Sequence, residues 1–259
     1  DAANEWGLCM AGLNFPGNAY YIPPSEPSDK ISIAPFELIL RLLGQCRTVD
    51  EAVECLGEIN LLDESFNDKY PLTPLHWMIS DCKHSIVVEP MSDGIKIHRN
   101  PIGVLTNNPP FDFHKNNLCQ YLNLTRDEPQ NRFSESIHLS AYSRGMGAIG
   151  LPGDLSSASR FVRAAFTKLN SNDGSEMQAV SQFFHILKSV AQQRGCVKVN
   201  EQFERTIYTC CCNTNKGIYY YNTYDNQQVR AVHVFQEDLR ACKLITYPFV
   251  WDSAIVDEN

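Results

Sequence analysis

Two incompatible periodicities occupy separate stretches of this chain, and that separation constrains the fold more than any other feature. Between residues 75 and 105, short runs rich in β-branched residues such as Ile86-Val87-Val88 are broken at Asp81-Cys82-Lys83-His84 and at Ser92-Asp93-Gly94. That is the pattern of an antiparallel meander with tight turns. Over 155–169 and 176–193 the period changes to that of a helix. Phe161, Val162, Ala165, Phe166 and Leu169 are predicted to share one face, and Val180, Phe183, Phe184, Leu187 and Val190 another. Strands then return, predicted over 205–212, 217–223, 229–235 and 243–249, with turns at 213–216 and 225–228. Two groups of strands with helices kept apart from them predict a layered α+β architecture with antiparallel sheets, not a doubly wound parallel one.

Shorter helices are predicted over 35–46, 49–56 and 111–122. The first follows a loop with Pro23, Pro24 and Pro27, and the second opens on Thr48 with Glu51 three residues on, a capping-box spacing. With no repeat, low-complexity tract or long linker, residues 1–259 read as a single domain, and 43% apolar residues are enough for a sizeable core. The net charge of −8 and the lack of a basic block argue against a nucleic-acid partner. No apolar run approaches the roughly 18 residues of a spanning helix, so no membrane partner is expected.

Ten cysteines are scattered without a CxxC pair or Cys/His ligand spacing, and the seven histidines, His76 and His185 among them, show no metal-binding pattern. Reduced, mostly buried thiols, a cytoplasmic location and the absence of any metal or cofactor are the expectations. Tyr219, Tyr220, Tyr221 and Tyr224 would alternate between the two faces of a strand, which assigns them to packing.

Three polar segments carry the chemistry. Asn14 lies in Ala11-Gly12-Leu13-Asn14-Phe15-Pro16-Gly17, Asn107 in Val104-Leu105-Thr106-Asn107-Asn108-Pro109-Pro110, and Arg160 in Leu151-Pro152-Gly153-Asp154-Leu155-Ser156-Ser157-Ala158-Ser159-Arg160-Phe161. Each sets an amide or guanidinium beside turn-forming residues, the equipment for stabilising an oxyanion and orienting a nucleophile. No nucleophile with an activating base accompanies them. The chain opens at Asp1 without an initiator Met, and Cys9 has eight residues before it, so its sulfur has no terminal amine to serve it.

Those three segments, with Pro74-Leu75-His76-Trp77 and Lys216-Gly217-Ile218-Tyr219-Tyr220-Tyr221-Asn222-Thr223-Tyr224, closely resemble the choloylglycine hydrolases. This family comprises bile salt hydrolases and penicillin V acylases, both N-terminal nucleophile (Ntn) enzymes. The resemblance implies a four-layer αββα sandwich of two antiparallel sheets. It also implies a mature N-terminal cysteine whose thiolate attacks an amide carbonyl while its own α-amino group takes the proton. In the family that cysteine lies several tens of residues upstream of the Asn14 segment. The chain is therefore expected to be N-terminally truncated, to lack the nucleophile-bearing strands, to show unpaired sheet edges and to be inactive as it stands.

By the same resemblance, Asn14 and Asn107 belong to the oxyanion hole, with Asn14 also at the substrate mouth, and Arg160 lies near the nucleophilic sulfur. Arg163 is expected to be a solvated helix-face residue. The loop 60–74, with Phe66 and Tyr70 and leading to Leu75, matches the apolar wall that holds a steroid. Asparagine at position 14, where penicillin-leaning members tend to carry Tyr, favours glycine- or taurine-conjugated bile salts as the small-molecule substrate. Penicillin V or acyl-homoserine lactone cleavage is the related alternative, and a non-catalytic bile-acid-binding remnant the alternative of another class. Family members are often tetramers, which implies a homo-oligomer.

Overall fold

The computed structural model describes residues 1–172, 174–253 and 255–258. The chain begins with strands β1 (Ala2–Ala3), β2 (Cys9–Asn14) and β3 (Ile31–Ile33), then helices α1 (Leu38–Gln45) and α2 (Val49–Gly57), then β4 (Ile59–Leu61), which pairs in parallel with β3. The predicted meander is β5 (Leu75–Ser80), β6 (Ser85–Met91) and β7 (Gly94–Arg99). β2 joins it, giving a five-stranded antiparallel sheet in the order β1-β2-β5-β6-β7.

Alternation along β6 gives this sheet two apolar faces. Ile86 and Val88 turn to one side, into a core with Met10, Trp77 and Ile79 from the sheet and Leu38, Leu42 and Leu56 from α1 and α2. Val87 turns to the other, where it meets Phe111 of α3 (Phe111–Asn117) and Phe161, Ala164 and Ala165 of α4 (Ser157–Leu169). Each such side chain, fully buried, contributes about 1.5–3 kcal/mol.

Beyond α4 come α5 (Glu176–Lys188), a short hairpin of β8 (Val197–Val199) and β9 (Gln202–Glu204), and a second antiparallel sheet of β10 (Tyr208–Asn213), β11 (Ile218–Thr223) and β12 (Arg230–His233). α5 lays Val180 and Phe184 on Ile218 and Tyr220 of β11. Tyr220 and Tyr221 are buried, as their assignment to packing requires. The α+β class and the antiparallel pairing are thus as predicted.

Several local expectations are corrected. Thr48 Oγ1 accepts from the Glu51 amide, but the Glu51 carboxylate turns to the Arg47 amide, so only half of the capping box forms. α5 ends at Lys188, not near residue 193, because the Ser189 carbonyl is taken by Arg163 Nε at 3.0 Å. Leu169, at the frayed end of α4, is 59% exposed, and Phe183, a hundred degrees round the helix from Phe184, is also exposed. Residues 243–249 form no strand. Phe249 instead packs its ring on Tyr221 and Trp251, each at 5.4 Å. The β8–β9 hairpin went unforeseen because its turn, Asn200-Glu201, needs positive φ at both residues (47° and 64°), which Glu rarely adopts.

The cysteines are free thiols, but of the ten only Cys46 is buried, while Cys82, Cys119, Cys196, Cys212 and Cys242 are exposed. Cys82, Cys196 and Cys242 lie in bends and Cys212 on the edge strand β10, whereas Cys46 belongs to the first core. No helix among the described residues is long and apolar enough to cross a membrane.

Candidate functional site

β2 delivers the first of the three polar residues. Its register with β5 pairs Gly12 with Trp77, Leu13 with His76 and Asn14 with Leu75, so Asn14 ends the strand beside Leu75. Along its other side β2 is paired only at Cys9 and Met10, by β1. From residue 11 to 14 that side carries no ladder among the described residues, and Asn14 is exposed.

The Thr106-Asn107 segment crosses from β7 towards α3 and is stitched to the first turn of α4. The Asn107 amide donates to Ser157 Oγ at 2.8 Å, Ser157 Oγ donates to Thr106 Oγ1 at 3.0 Å, and Thr106 Oγ1 donates to the Ser157 carbonyl at 3.1 Å. Ser156, the N-cap of α4, accepts from the Ser159 amide at 3.3 Å and sets where the helix begins. Arg160 follows one turn into the helix. Its Nε donates to the Leu155 carbonyl at 3.1 Å and its Nη2 to Asn107 Oδ1 at 2.7 Å.

Asn107 completes the junction by donating through Nδ2 to the Asn14 carbonyl oxygen at 2.8 Å. These two partners fix the orientation of the amide. Turned over, it would set oxygen against a carbonyl oxygen and NH2 against a guanidinium, losing both bonds. Nδ2 has two hydrogens and uses one, so one N–H remains to be offered. The neighbouring Asn108 Nδ2 donates to the Pro16 carbonyl, tying this segment to the loop after β2 a second time.

All three predicted residues therefore meet at one place, though Asn14 meets Asn107 through its backbone. Its carboxamide makes no hydrogen bond among the described residues.

Arg160 is half-buried and forms no ion pair with a carboxylate among the described residues. Burial pulls the affinity of its guanidinium for its proton below the ordinary range, the charge of Arg163 adds to this, and that of Glu204 opposes it. An arginine keeps its proton through such shifts, so the junction holds a positive charge that no carboxylate among the described residues pairs directly. Arg163 is not the solvated residue that was expected. It is buried, and its guanidinium donates to the Ser189, Pro152 and Asp154 carbonyls at 3.0, 2.8 and 2.6 Å, holding the loop in front of α4.

The thiols of β2 and β10 are poorly suited to react here. Cys9 lies at the far end of β2 from Asn14, about 16 Å away at the rise of a strand. Burial and the neighbouring Cys212 and Cys211 push its pKa up to about 11. Burial raises Cys211 to about 11 as well, and raises Cys210 and Cys212. That is the wrong direction for a nucleophile at neutral pH.

Of the predicted apolar wall, Leu75 is beside Asn14 and packs against the first core. Phe66 and Tyr70 are 63% and 56% exposed and form a surface aromatic group with Phe36, with Phe36 edge-on to Phe66 at 5.3 Å. A cavity of about 350 Å³ between α5 and the second sheet is lined by Val180, Phe184, Lys188 and Tyr220 and by none of these residues.

Sequence reasoning missed a buried polar network behind the junction. His76, at 0% exposure, stacks flat on Phe15 and sits with Nδ1 3.2 Å from Glu89 Oε1 and Nε2 2.9 Å from the Thr106 carbonyl oxygen. Glu89, at 1%, also accepts from the Phe111 amide at 2.9 Å and faces His98 Nε2 at 3.4 Å, and His98 Nδ1 faces Asp112 at 3.4 Å. His114 stacks on Phe161 and places Nε2 2.9 Å from the Asn107 carbonyl oxygen. The available signal was Glu89 itself, a lone carboxylate in the apolar run Ile86-Val87-Val88-Glu89-Pro90, which must find a partner if that strand is buried.

Compared with known proteins, residues 1–247 match the model of the choloylglycine hydrolase family of linear amide C–N hydrolases. The bile salt hydrolase/transferase of Lactiplantibacillus plantarum is 53% identical over 250 residues, covering 96% of this chain and 76% of the relative. That of Clostridium perfringens is 40% identical over 254 residues, with coverage of 96% and 76%. The crystal structure of a cysteine-to-alanine variant of the conjugated bile acid hydrolase from Clostridium perfringens superposes with a TM-score of 0.89 at 38% identity, covering 99% of this chain and 79% of that one. The penicillin V acylase of Agrobacterium tumefaciens shares the fold, with a TM-score of 0.65 at 20% identity over 90% of this chain and 65% of that one.

Proposed function

This chain belongs to the choloylglycine hydrolase family of linear amide C–N hydrolases, and from that premise we propose that it cleaves the amide bond of glycine- or taurine-conjugated bile salts. The observation that carries the reading is the junction itself: a guanidinium, Arg160, with no carboxylate directly paired to it, bonded to an amide, Asn107, that has an N–H left to give.

In this reading a cysteine thiolate attacks the carbonyl carbon of the bile salt's amide. The carbonyl oxygen becomes an oxyanion and takes the free N–H of Asn107 and the carboxamide of Asn14. Arg160 holds the thiol in its charged form by lowering its pKa. The C–N bond then breaks, the departing amine of glycine or taurine receives a proton from the α-amino group that had accepted it from the thiol, and water hydrolyses the thioester. The attacking sulfur in this reading is a mature N-terminal cysteine, the family's nucleophile, a role that Cys9, at the far end of β2 from Asn14 and with its pKa pushed up to about 11, does not fit. Phe66, Tyr70 and Leu75 offer the steroid body an apolar surface, and the whole forms one domain that works in the cytoplasm as a homo-oligomer.

The test uses the protein expressed from its complete reading frame. Glycocholate, taurocholate and penicillin V are assayed side by side for amine release. The reading predicts kcat/KM for a bile salt at least about tenfold above that for penicillin V, the discrimination expected of about 1.4 kcal/mol of differential transition-state binding. Faster turnover of penicillin V overturns the substrate, and no turnover of any amide overturns the activity.

A further inference from the structure

Residue 107 is held from every side. Its amide is bound by Ser157 and its side chain by Arg160 and the Asn14 carbonyl. Its own carbonyl and that of Thr106 before it are bound by two imidazoles, His114 and His76. A carbonyl oxygen only accepts, so both ring Nε2 atoms must carry hydrogen. Proteins have many cheaper ways to satisfy two carbonyls, most simply a turn or a water. Two buried rings spent on consecutive carbonyls of one segment call for a reason.

We propose that His76 and His114 are positioning residues of the amide-cleaving reaction, acting as a pair of rigid N–H clamps that set the direction of the Asn107 amide. The proposal rests on Asn107 being the oxyanion donor and goes beyond it.

The arrangement of each ring supports this. Both are pinned by stacking, His76 on Phe15 at 4.2 Å between centroids and His114 on Phe161 at 4.8 Å, so neither N–H can swing. They are anchored on different elements, β5 and α3. Glu89 joins the two: its Oε1 lies against His76 Nδ1 and also takes the Phe111 amide, the first of α3, the helix that carries His114. Among the described residues His114 Nδ1 has no well-formed partner, although the Pro109 carbonyl also lies near the ring, and the bond to Asn107 is the one hydrogen bond of good geometry that the ring makes. A side chain serving only the core at that position would not need a nitrogen there at all. Phe would fill the same space against Phe161.

That comparison is the experiment. In the complete protein, His114→Phe keeps the ring and removes the donor, while His114→Gln sets an amide N–H near the place of Nε2. For glycocholate, His114→Phe is expected to lose about tenfold or more in kcat with KM changed less than about threefold, in line with the cost of misplacing a reacting group by up to 1 Å. His114→Gln is expected to recover most of the loss, and Glu89→Gln, which loosens His76, to fall in the same sense as His114→Phe. Melting temperatures measured alongside separate folding from positioning. If His114→Phe does not fold, His114→Met replaces it.

Wild-type kcat in His114→Phe, or His114→Gln as slow as His114→Phe, overturns the proposal. Asn107→Ala is the control. If it too keeps the wild-type kcat, the oxyanion reading falls and the clamp with it. If it is slow while His114→Phe is not, only the clamp falls.

Discussion

Arg160 and Asn107, 53 residues apart in sequence, are joined by a 2.7 Å hydrogen bond from Nη2 to Oδ1. The bond turns the Asn107 amide so that its NH2 faces away from the guanidinium, and a second bond from Arg160 Nε to the Leu155 carbonyl fixes the plane of the fork. Lysine has a single ammonium and cannot make both in that geometry. Arg160→Lys is therefore expected to keep the charge but lose the aim, with kcat for glycocholate down by about tenfold to a hundredfold, on the order of 1.4–2.7 kcal/mol of transition-state stabilisation. Steady-state kinetics check this, and a kcat within twofold of wild type counts against the fork.

Arg163 shares the helix with Arg160 but does different work. Its guanidinium satisfies three carbonyls of the loop before α4 and of the chain after α5. Arg163→Met fills similar volume and leaves those acceptors without donors, at a cost of about 2–4 kcal/mol. Chemical denaturation measures it. Stability unchanged within 0.5 kcal/mol would mean that the loop holds itself.

Two groups, one near neutrality and one in the carboxylate range, mark out the acid limb of stability. Burial lowers the pKa of His114 from 6.5, and His76 adds to this, while the Asn107 and Pro109 carbonyls and Glu89 oppose it. As pH falls through 6.5 the unfolded chain takes a proton that the folded one refuses, so stability declines until the lower folded pKa is reached. Asp154, hydrogen-bonded by Ser156 and Ser159, is lowered from 3.8 to about 2. Its contribution is present above pH 3.8 and is lost as pH falls towards 2. Melting temperature against pH should therefore drop in two stages, with His114→Gln flattening the upper and Asp154→Asn the lower. A limb that neither variant alters contradicts the assignment.

The thiols offer a check on the nucleophile. Serine in place of Cys9, Cys211 or Cys212 is expected to leave glycocholate hydrolysis by the complete protein within about twofold, because Cys9 lies at the far end of β2 from Asn14 and burial disfavours the thiolate in all three. Loss of activity in any one of them would identify an attacking group within this chain.

Much of this was written in local pattern. The meander and the apolar stripe through Phe161 follow from spacing alone, and they suffice to place Arg160 in the first turns of α4. Motif resemblance supplied Asn14 and Asn107. What local pattern did not carry was pairing across distance. Nothing near Arg163 announces that its partners are carbonyls at 152, 154 and 189, and nothing near His76 points to Glu89, its neighbour only through the β5–β6 hairpin. The 243–249 segment failed for a related reason: strand-like composition does not make a strand without a partner edge, and here aromatic packing of Phe249 took its place.

The most direct measurement is kcat for glycocholate in Asn107→Asp, made in the complete protein. The carboxylate keeps its partner in Arg160 and is nearly the same size, but has no N–H to give and brings negative charge to where an oxyanion must form. The account predicts a fall of at least about a hundredfold, corresponding to the roughly 3 kcal/mol that such donors supply, with the melting temperature within a few degrees of wild type. A variant that folds and turns over glycocholate within threefold of wild type would contradict it.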